Sequence, residues 1–128
     1  MINVDEIMDM LDWNNSLEMQ RKGVELAKGI KCINVFLQPM HKEHNKNVWS
    51  NCAIILSERT DEELAPYLLH LFSWIKDLNW PGAYCILNRL NEFKRDSMFC
   101  FAYQESVKAA KKLDDEIWLE VLFELVHN

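Results

Sequence analysis

The sequence is poor in the residues that interrupt helices. Of its 128 residues only 3 are glycine and 3 are proline, too few for an all-β sandwich, which turns about every ten residues. Hydrophobic residues make up 49% of the chain, more than an intrinsically disordered protein carries. A chain of this length forms one domain, so we expect residues 1–128 to fold as a single unit.

Positive charge is also scarce. The 14 Lys and Arg residues are outnumbered by 20 Asp and Glu residues, which leaves a net charge of −6. Proteins that bind nucleic acid or anionic membrane surfaces through phosphate groups need the opposite balance. We therefore expect neither nucleic acid nor a membrane surface among the partners.

No long apolar run is present. The uncharged stretch from Leu64 to Ile75 is shorter than the roughly 18 apolar residues that a transmembrane helix requires. Residues 1–13 contain four acidic residues and no basic one, the reverse of a secretory leader. These features predict a cytoplasmic protein.

The four cysteines show no metal-site or redox spacing. Cys32, Cys52, Cys85 and Cys100 are separated by 20, 33 and 15 residues, and their neighbours are mostly apolar. Such residues are typical of reduced thiols in a protein core.

Apolar residues recur with the period of a helix. The clearest stripe runs from Leu64 to Leu78, with apolar side chains at i, i+4, i+7, i+8, i+11 and i+14. Thr60 and Glu63 just before it predict a capping box. Pro66 indicates either that this helix begins there or that it bends there.

The same reasoning predicts helices along the rest of the chain and no strand. They are expected at Val4–Leu11, Ser16–Lys28, Lys31–Gln38, Val48–Glu58, Ala83–Phe93, from Asp96 or Ser97 to Ala110, and from Asp114 to Val126. In the last helix the inward residues are expected to be Ile117, Val121, Leu122, Leu125 and Val126. Pro39–Lys46 is predicted to be a polar loop. The predicted fold is all-α with about eight helices.

Four of the five tryptophans suggest a repeat. Trp13, Trp49, Trp80 and Trp118 each stand near the start of the second helix of a predicted pair, 36, 31 and 38 residues apart. These intervals are typical of stacked αα-hairpin repeats. The alternative is that tryptophans cluster in this way by chance.

Two resemblances extend this interpretation. The stretch Leu64–Leu90, with Pro66 in its first helix, resembles a HEAT-type repeat. The segments Ile33–Pro39, Asn47–Trp49, Leu56–Arg59 and Asp77–Ala83 are similar to a family of short bacterial helical proteins classed as a domain of unknown function, from about residue 12 onward. The resemblance implies HEAT-like αα-hairpins in a short right-handed α-solenoid. It implies no established activity, and it assigns no function to individual residues.

Motifs for familiar chemistry are weak. His41 and His44 flank Lys42 and Glu43, but the two histidines are three residues apart rather than the four of a helical zinc motif. The prediction is a polar loop without a metal. The glycine spacing fits no phosphate-binding loop, so no cofactor is expected. His70 lies among apolar residues and is interpreted as a helix residue rather than a catalytic base.

The sequence favours a contact surface built from second helices. Residues 114–128 contain five acids and no Lys or Arg, which favours a basic partner. The candidate binding residues are polar or aromatic positions outside the predicted apolar stripes: Asn47, Ser50, Asn51, Tyr84, Asn88 and Asn91.

The leading hypothesis is a non-enzymatic protein-binding module, and its specific form is an immunity-type inhibitor of a basic toxin domain. The alternative is a small enzyme or ligand carrier with a site in an inter-helix groove, using Tyr84, Asn88, His70 or a cysteine.

Overall fold

The computed structural model describes residues 3–38 and 46–127, apart from the side chains of Val126 and His127. The regular structure within those ranges is entirely helical. The α-helices are α1 (Val4–Met10), α2 (Leu17–Ala27), α3 (Trp49–Ser57), α4 (Asp61–Leu64), α5 (Leu68–Trp74), α6 (Ala83–Glu92), α7 (Ser97–Lys112) and α8 (Glu116–His127). Short 3-10 segments occupy Ile33–Phe36, Lys46–Val48 and Ala65–Tyr67.

Within the described ranges there are seven separate helices rather than about eight. The 3-10 segment Ala65–Tyr67 joins α4 to α5 without a gap, so the two form one bent helix. Pro66 lies in this segment, and the bend is therefore the correct one of the two alternatives. The helix predicted at Lys31–Gln38 is wrong, because only Ile33–Phe36 is helical and Leu37 is already extended. Pro39 follows Gln38 in the sequence, and a proline disfavours helical geometry in the residue directly before it, so a helix through Gln38 is disfavoured.

The predicted helix starts are confirmed where a side chain caps the backbone. Ser16 accepts a hydrogen bond from the Met19 N–H. Thr60 and Glu63 form the full capping box, and Asp96 rather than Ser97 caps α7. Each cap satisfies an N–H group that has no partner within its helix, which explains why these starts can be recognised from short motifs.

One cluster of buried apolar side chains extends from Ile7 in α1 to Leu125 in α8. Its largest fully buried member is Trp74, whose indole N–H donates to the Pro81 carbonyl over 3.1 Å. The inward stripe predicted for α8 is partly wrong, because Ile117 is 67% exposed and Trp118 is only 2% exposed. The Trp118 indole fills the core and donates to the Phe72 carbonyl.

The tryptophans do not occupy equivalent positions. Trp49 is the first residue of α3 and Trp118 the third of α8, whereas Trp13 and Trp80 lie in turns before α2 and α6. Trp13 is also exposed. The regular spacing therefore does not mark one recurring structural position.

The helices pack in a definite order. α1 packs on α2, α5 on α6, and α7 on α8. In addition α2 contacts α3, α3 contacts α6, and α6 contacts α8, while α5 contacts α7. Thus α2, α3, α6 and α8 lie side by side in that order.

Candidate interaction surface

The outward sides of these four adjacent helices form one surface, which we call the α2–α3–α6–α8 face. Each helix contributes at least one large apolar side chain that is between 42% and 68% exposed: Leu17, Ile54, Tyr84 and Ile117. Two of the helices expose a second one, Met19 in α2 and Phe123 in α8. Leu17 and Ile54 line the same groove between α2 and α3. Most exposed apolar residues occur singly, so one on each of four neighbouring helices is informative.

Two contacts between α3 and the first turn of α6 relate the positions of these two helices along their axes. Gly82, just before α6, packs against Ala53 and the Trp49 carbonyl of α3. Cys85 and Ser57 line the same groove, where the Ser57 side chain lowers the pKa of the Cys85 thiol. Residue numbers therefore increase together along both helices, which run in the same direction, and Tyr84 lies within about one turn of Ile54.

A second set of contacts relates α6 to α8. Trp74 binds the Pro81 carbonyl just before α6, and Trp118 binds the Phe72 carbonyl two residues from Trp74. The first turns of α6 and α8 therefore lie at the same end of the fold.

At the other end the Arg95 guanidinium donates to the carbonyls of Leu90 in α6 and Leu125 in α8, over 3.1 and 3.2 Å. Because one guanidinium binds both carbonyls, Leu90 and Leu125 lie at about the same position along the parallel axes of α6 and α8. Tyr84 precedes Leu90 by six residues and Ile117 precedes Leu125 by eight. Tyr84 and Ile117 therefore differ by about 3 Å along these axes. Ile54, Tyr84 and Ile117 thus form an apolar row across three helices.

A polar row lies one helical turn further along. It consists of Glu58, Asn88 and Glu120, which follow the three apolar residues by four, four and three positions and are all exposed. Residues at these spacings share one side of a helix. The charged residues of α8 are Glu116, Glu120 and Glu124, so α8 contributes only negative charge to this surface.

The Glu58 carboxylate acts on both sides of α3. The Lys28 pKa is raised mainly by its hydrogen bond and ion pair with Glu25, and Glu58 adds a smaller attraction. Burial raises the pKa of the Cys85 thiol, the Ser57 side chain opposes that rise, and Glu58 adds to it. The carboxylate therefore lies between the groove shared with α2 and the groove shared with α6.

The structure brings together part of the predicted site. Tyr84, Asn88 and Asn91 are all exposed on α6, and Ser50 is half-buried on the neighbouring α3. Asn47 is half-buried as well, and its carbonyl accepts a hydrogen bond from the Trp13 N–H over 3.1 Å.

Asn51 has an internal role instead. It is only 9% exposed, and its amide donates to the Leu11 carbonyl over 2.8 Å and to Gln20 Oε1 over 2.9 Å. These bonds connect α3 to the α1–α2 pair. Sequence reasoning missed Leu17, Ile54 and Ile117, since Ile117 fits a helical apolar stripe almost as well as Trp118 does.

A family model matches residues 37–128, about 72% of the chain. This chain belongs to the DUF5071 family, a domain of unknown function. The resemblance inferred from sequence segments is thereby confirmed at the level of an uncharacterised family. The match includes α3 to α8, and with them the apolar and polar rows, and leaves out α1 and α2. No curated protein and no solved structure matches this DUF5071 chain.

The groove between α3 and α6 is the alternative site for chemistry in this DUF5071 chain. It has a volume of about 440 Å³ and is lined by Ser57, Cys85, Asn88, Arg89 and Glu92. The Arg89 guanidinium is already bound to the Arg59 carbonyl and to the Asp61 carboxylate. Because the pKa of the Cys85 thiol is raised, that thiol is a poor nucleophile.

The cysteine prediction is right for Cys52 and wrong for two others. Cys52 is buried, Cys85 is half-buried, and Cys32 and Cys100 are exposed; all four are free thiols. Cys32 directly precedes the 3-10 segment Ile33–Phe36, and Cys100 is an exposed residue of α7. Neighbours in sequence point to different sides of a helix, so apolar neighbours do not imply that a cysteine is buried.

The structure also bears on metal binding and on membrane insertion. Within residues 3–38 and 46–127, no group of three or more His, Cys, Asp or Glu side chains could hold a metal ion. His41 and His44 lie outside the described residues. None of the described helices is both long and apolar enough to span a bilayer.

Proposed function

We propose that this protein is a non-enzymatic binding module that docks a protein partner on the α2–α3–α6–α8 face. The observation that supports this is the set of four exposed apolar side chains, one from each of four adjacent helices, with carboxylates beside them. Protein interfaces combine aromatic and aliphatic contacts with a polar surround. Energetically dominant contacts are enriched in tyrosine, which makes Tyr84 the central candidate.

The proposed architecture is a short right-handed α-solenoid of HEAT-like αα-hairpins within a single domain. Its support is the order of helix contacts: α2 contacts α3, α3 contacts α6, α6 contacts α8, and α5 contacts α7. In such a stack the second helices of successive hairpins make one continuous surface. Residues that are distant in sequence then act together on one partner.

The proposed partner carries a basic patch. The chain has a net charge of −6. The α3 and α8 parts of the face present Glu58, Glu120 and Glu124 as exposed carboxylates, whereas the α2 part also carries Arg21 and Lys28. Complementary charge raises association rates and disfavours acidic competitors. The specific proposal is an immunity-type inhibitor of a basic toxin domain in the cytoplasm of a bacterium.

The test is capture from the source cell followed by direct binding of the purified partner. A captured protein is identified by mass spectrometry, purified, and titrated at about 50 mM and about 500 mM salt. We expect a basic protein whose dissociation constant rises at least about tenfold with salt and with Tyr84→Ala. Phe101→Ala is the matched control, because Phe101 is equally exposed but lies on α7. A captured partner whose dissociation constant changes neither with salt nor with Tyr84→Ala would refute the proposal.

The alternative, a small enzyme or ligand carrier, would use the α3–α6 groove. Its support is the polar lining and the half-buried Cys85. Alkylation of Cys85 in the native protein, faster than alkylation of the exposed Cys32 and Cys100, would favour that function over the binding module.

A further inference from the structure

We infer that the occupant of this face is a basic amphipathic α-helix lying across α3, α6 and α8. This inference rests on the proposed function, because it names the partner element that the face would bind.

The apolar row sets the spacing of the occupant's anchors. Ile54, Tyr84 and Ile117 lie on adjacent helices at nearly the same height, and packed helices are about 8–10 Å apart. An α-helix rises about 1.5 Å per residue, so seven residues span about 10.5 Å. Side chains at i, i+7 and i+14 of a crossing helix also point in one direction. Such a helix places one apolar side chain at each anchor.

The polar row sets the charge of the occupant's flank. Glu58 and Glu120 lie at its two ends and the uncharged Asn88 lies between them. This row is about one turn, or about 5 Å, from the apolar row. Basic side chains three or four residues after the outer anchors of the crossing helix would reach these two glutamates. Opposite Asn88, the crossing helix needs only a side chain that can form a hydrogen bond.

The all-helical surface favours a helix over an extended peptide. Extended peptides gain affinity by pairing their backbone with a sheet edge, and residues 3–38 and 46–127 contain no strand. An extended chain on this face would leave its backbone N–H and C=O groups without regular partners. A helix satisfies its backbone internally and contacts the face through side chains alone.

The test uses three fluorescent peptides of about 21 residues and identical composition. The first is an Ala/Gln helix with Leu at i, i+7 and i+14 and Arg four residues after the first and third Leu. The second has the same residues scrambled. The first peptide also carries one proline at its N-terminus. In the third peptide this proline stands at the centre instead, where it breaks the helix. Binding to the full chain is measured by fluorescence anisotropy.

We expect the first peptide to bind at least about tenfold more tightly than the other two. Tyr84→Ala and the double change Glu58→Gln with Glu120→Gln should each weaken it at least about tenfold. Phe101→Ala and Glu62→Gln, both at exposed positions on other helices, should leave its affinity unchanged. Circular dichroism melts of each variant exclude loss of folding as the cause.

The outcomes separate this inference from the proposed function. If the central-proline peptide binds as well as the first, the occupant is not a helix and the inference is wrong, while the binding module stands. The inference is also wrong, and the binding module again stands, if no peptide binds but a captured basic protein binds in a Tyr84-dependent way. If neither peptide nor protein depends on Tyr84, both the inference and the proposed function fail.

Discussion

Gly82 packs directly against Ala53, at the point where the chain enters α6. A Cβ atom on Gly82 would stand 2.7 Å from the Ala53 Cβ and 2.9 Å from the Trp49 carbonyl oxygen. The backbone φ of Gly82 is +82°, in the left-handed region that favours glycine. This contact brings α6 against α3 and so determines the spacing of Ile54 and Tyr84 on the face.

The first prediction follows from that contact. Gly82→Ala should lower the free energy of unfolding by about 2–4 kcal/mol, from backbone strain plus overpacking. Gly29→Ala is the control, since its nearest neighbour would be the Leu26 carbonyl at 3.7 Å, and its effect should stay within about 1 kcal/mol. Urea unfolding of both variants measures the difference; equal effects would contradict the close packing at Gly82.

The second prediction separates a structural amide from a surface one. Asn51→Ala should destabilise the protein by about 2 kcal/mol, because the Leu11 carbonyl and Gln20 lose their buried donor. Asn88→Ala, at an exposed position on α6, should change stability by less than about 0.5 kcal/mol. Thermal and urea unfolding are the measurements. A large effect at Asn88 with none at Asn51 would reverse the roles of the two amides.

The third prediction concerns pH. Partial burial raises the pKa of Asp61, but hydrogen bonds from Arg89 and the Lys94 N–H, together with the Arg89 charge, lower it below the ordinary value of 3.8. The ionised carboxylate therefore stabilises the fold fully above about pH 4, and this contribution is lost as pH falls through the lower folded-state pKa.

Accordingly, Asp61→Asn should cost about 1 kcal/mol at pH 7, after allowance for solvent screening. The difference from the wild type should be smaller at pH 3 than at pH 7. Glu62→Gln, at the exposed neighbouring position, serves as the control and should have little effect at either pH. A cost for Asp61→Asn that is the same at both pH values would mean that its charge contributes nothing.

The fourth prediction compares two tryptophans. Trp74 is fully buried and donates to the Pro81 carbonyl, so Trp74→Phe should cost about 2–3 kcal/mol from lost volume and a lost hydrogen bond. Trp80 is half-buried and meets Trp49 edge-on with ring centroids 6.0 Å apart. Trp80→Phe preserves an aromatic contact and should cost less than about 1 kcal/mol. Chemical denaturation that ranks the two in the opposite order would contradict this expectation.

The fifth prediction concerns thiol reactivity in the native protein. Cys32 and Cys100 are exposed and should react with a thiol reagent without unfolding of the protein. Burial raises the pKa of Cys52 to about 12, so this residue should react only on unfolding. Mass spectrometry after timed alkylation assigns each site. Early modification of Cys52 would show that α3 opens in the native state.

Local features could be predicted from the sequence because their physics is local. The caps at Ser16, Thr60 and Asp96 each require only a side-chain oxygen and an N–H three residues away. The stripe from Leu64 to Leu78 likewise has a helical period of its own. Its apolar residues are buried as predicted as far as Ile75, whereas Leu78, beyond the end of α5, is only partly buried. No distant residue decides either feature.

Predictions failed where two interpretations were locally equivalent. Ile117 and Trp118 can each begin an apolar stripe on α8, and the larger indole took the core position because the Phe72 carbonyl offers it a partner. Asn51 shares its polar character with Asn88, but Leu11 and Gln20 surround only the former. Such choices depend on contacts between residues 30 to 50 positions apart.

The sequence by itself determined the all-α class, most helix starts and the acidic charge, since periodicity, capping and composition follow from neighbouring residues. It also indicated Tyr84, Asn88 and Asn91 as residues outside the core. Only the tertiary structure decided that Ile54, Tyr84 and Ile117 form one row. That alignment depends on contacts such as Gly82 against Ala53 and Arg95 between Leu90 and Leu125, and the packing of whole helices fixes their relative height.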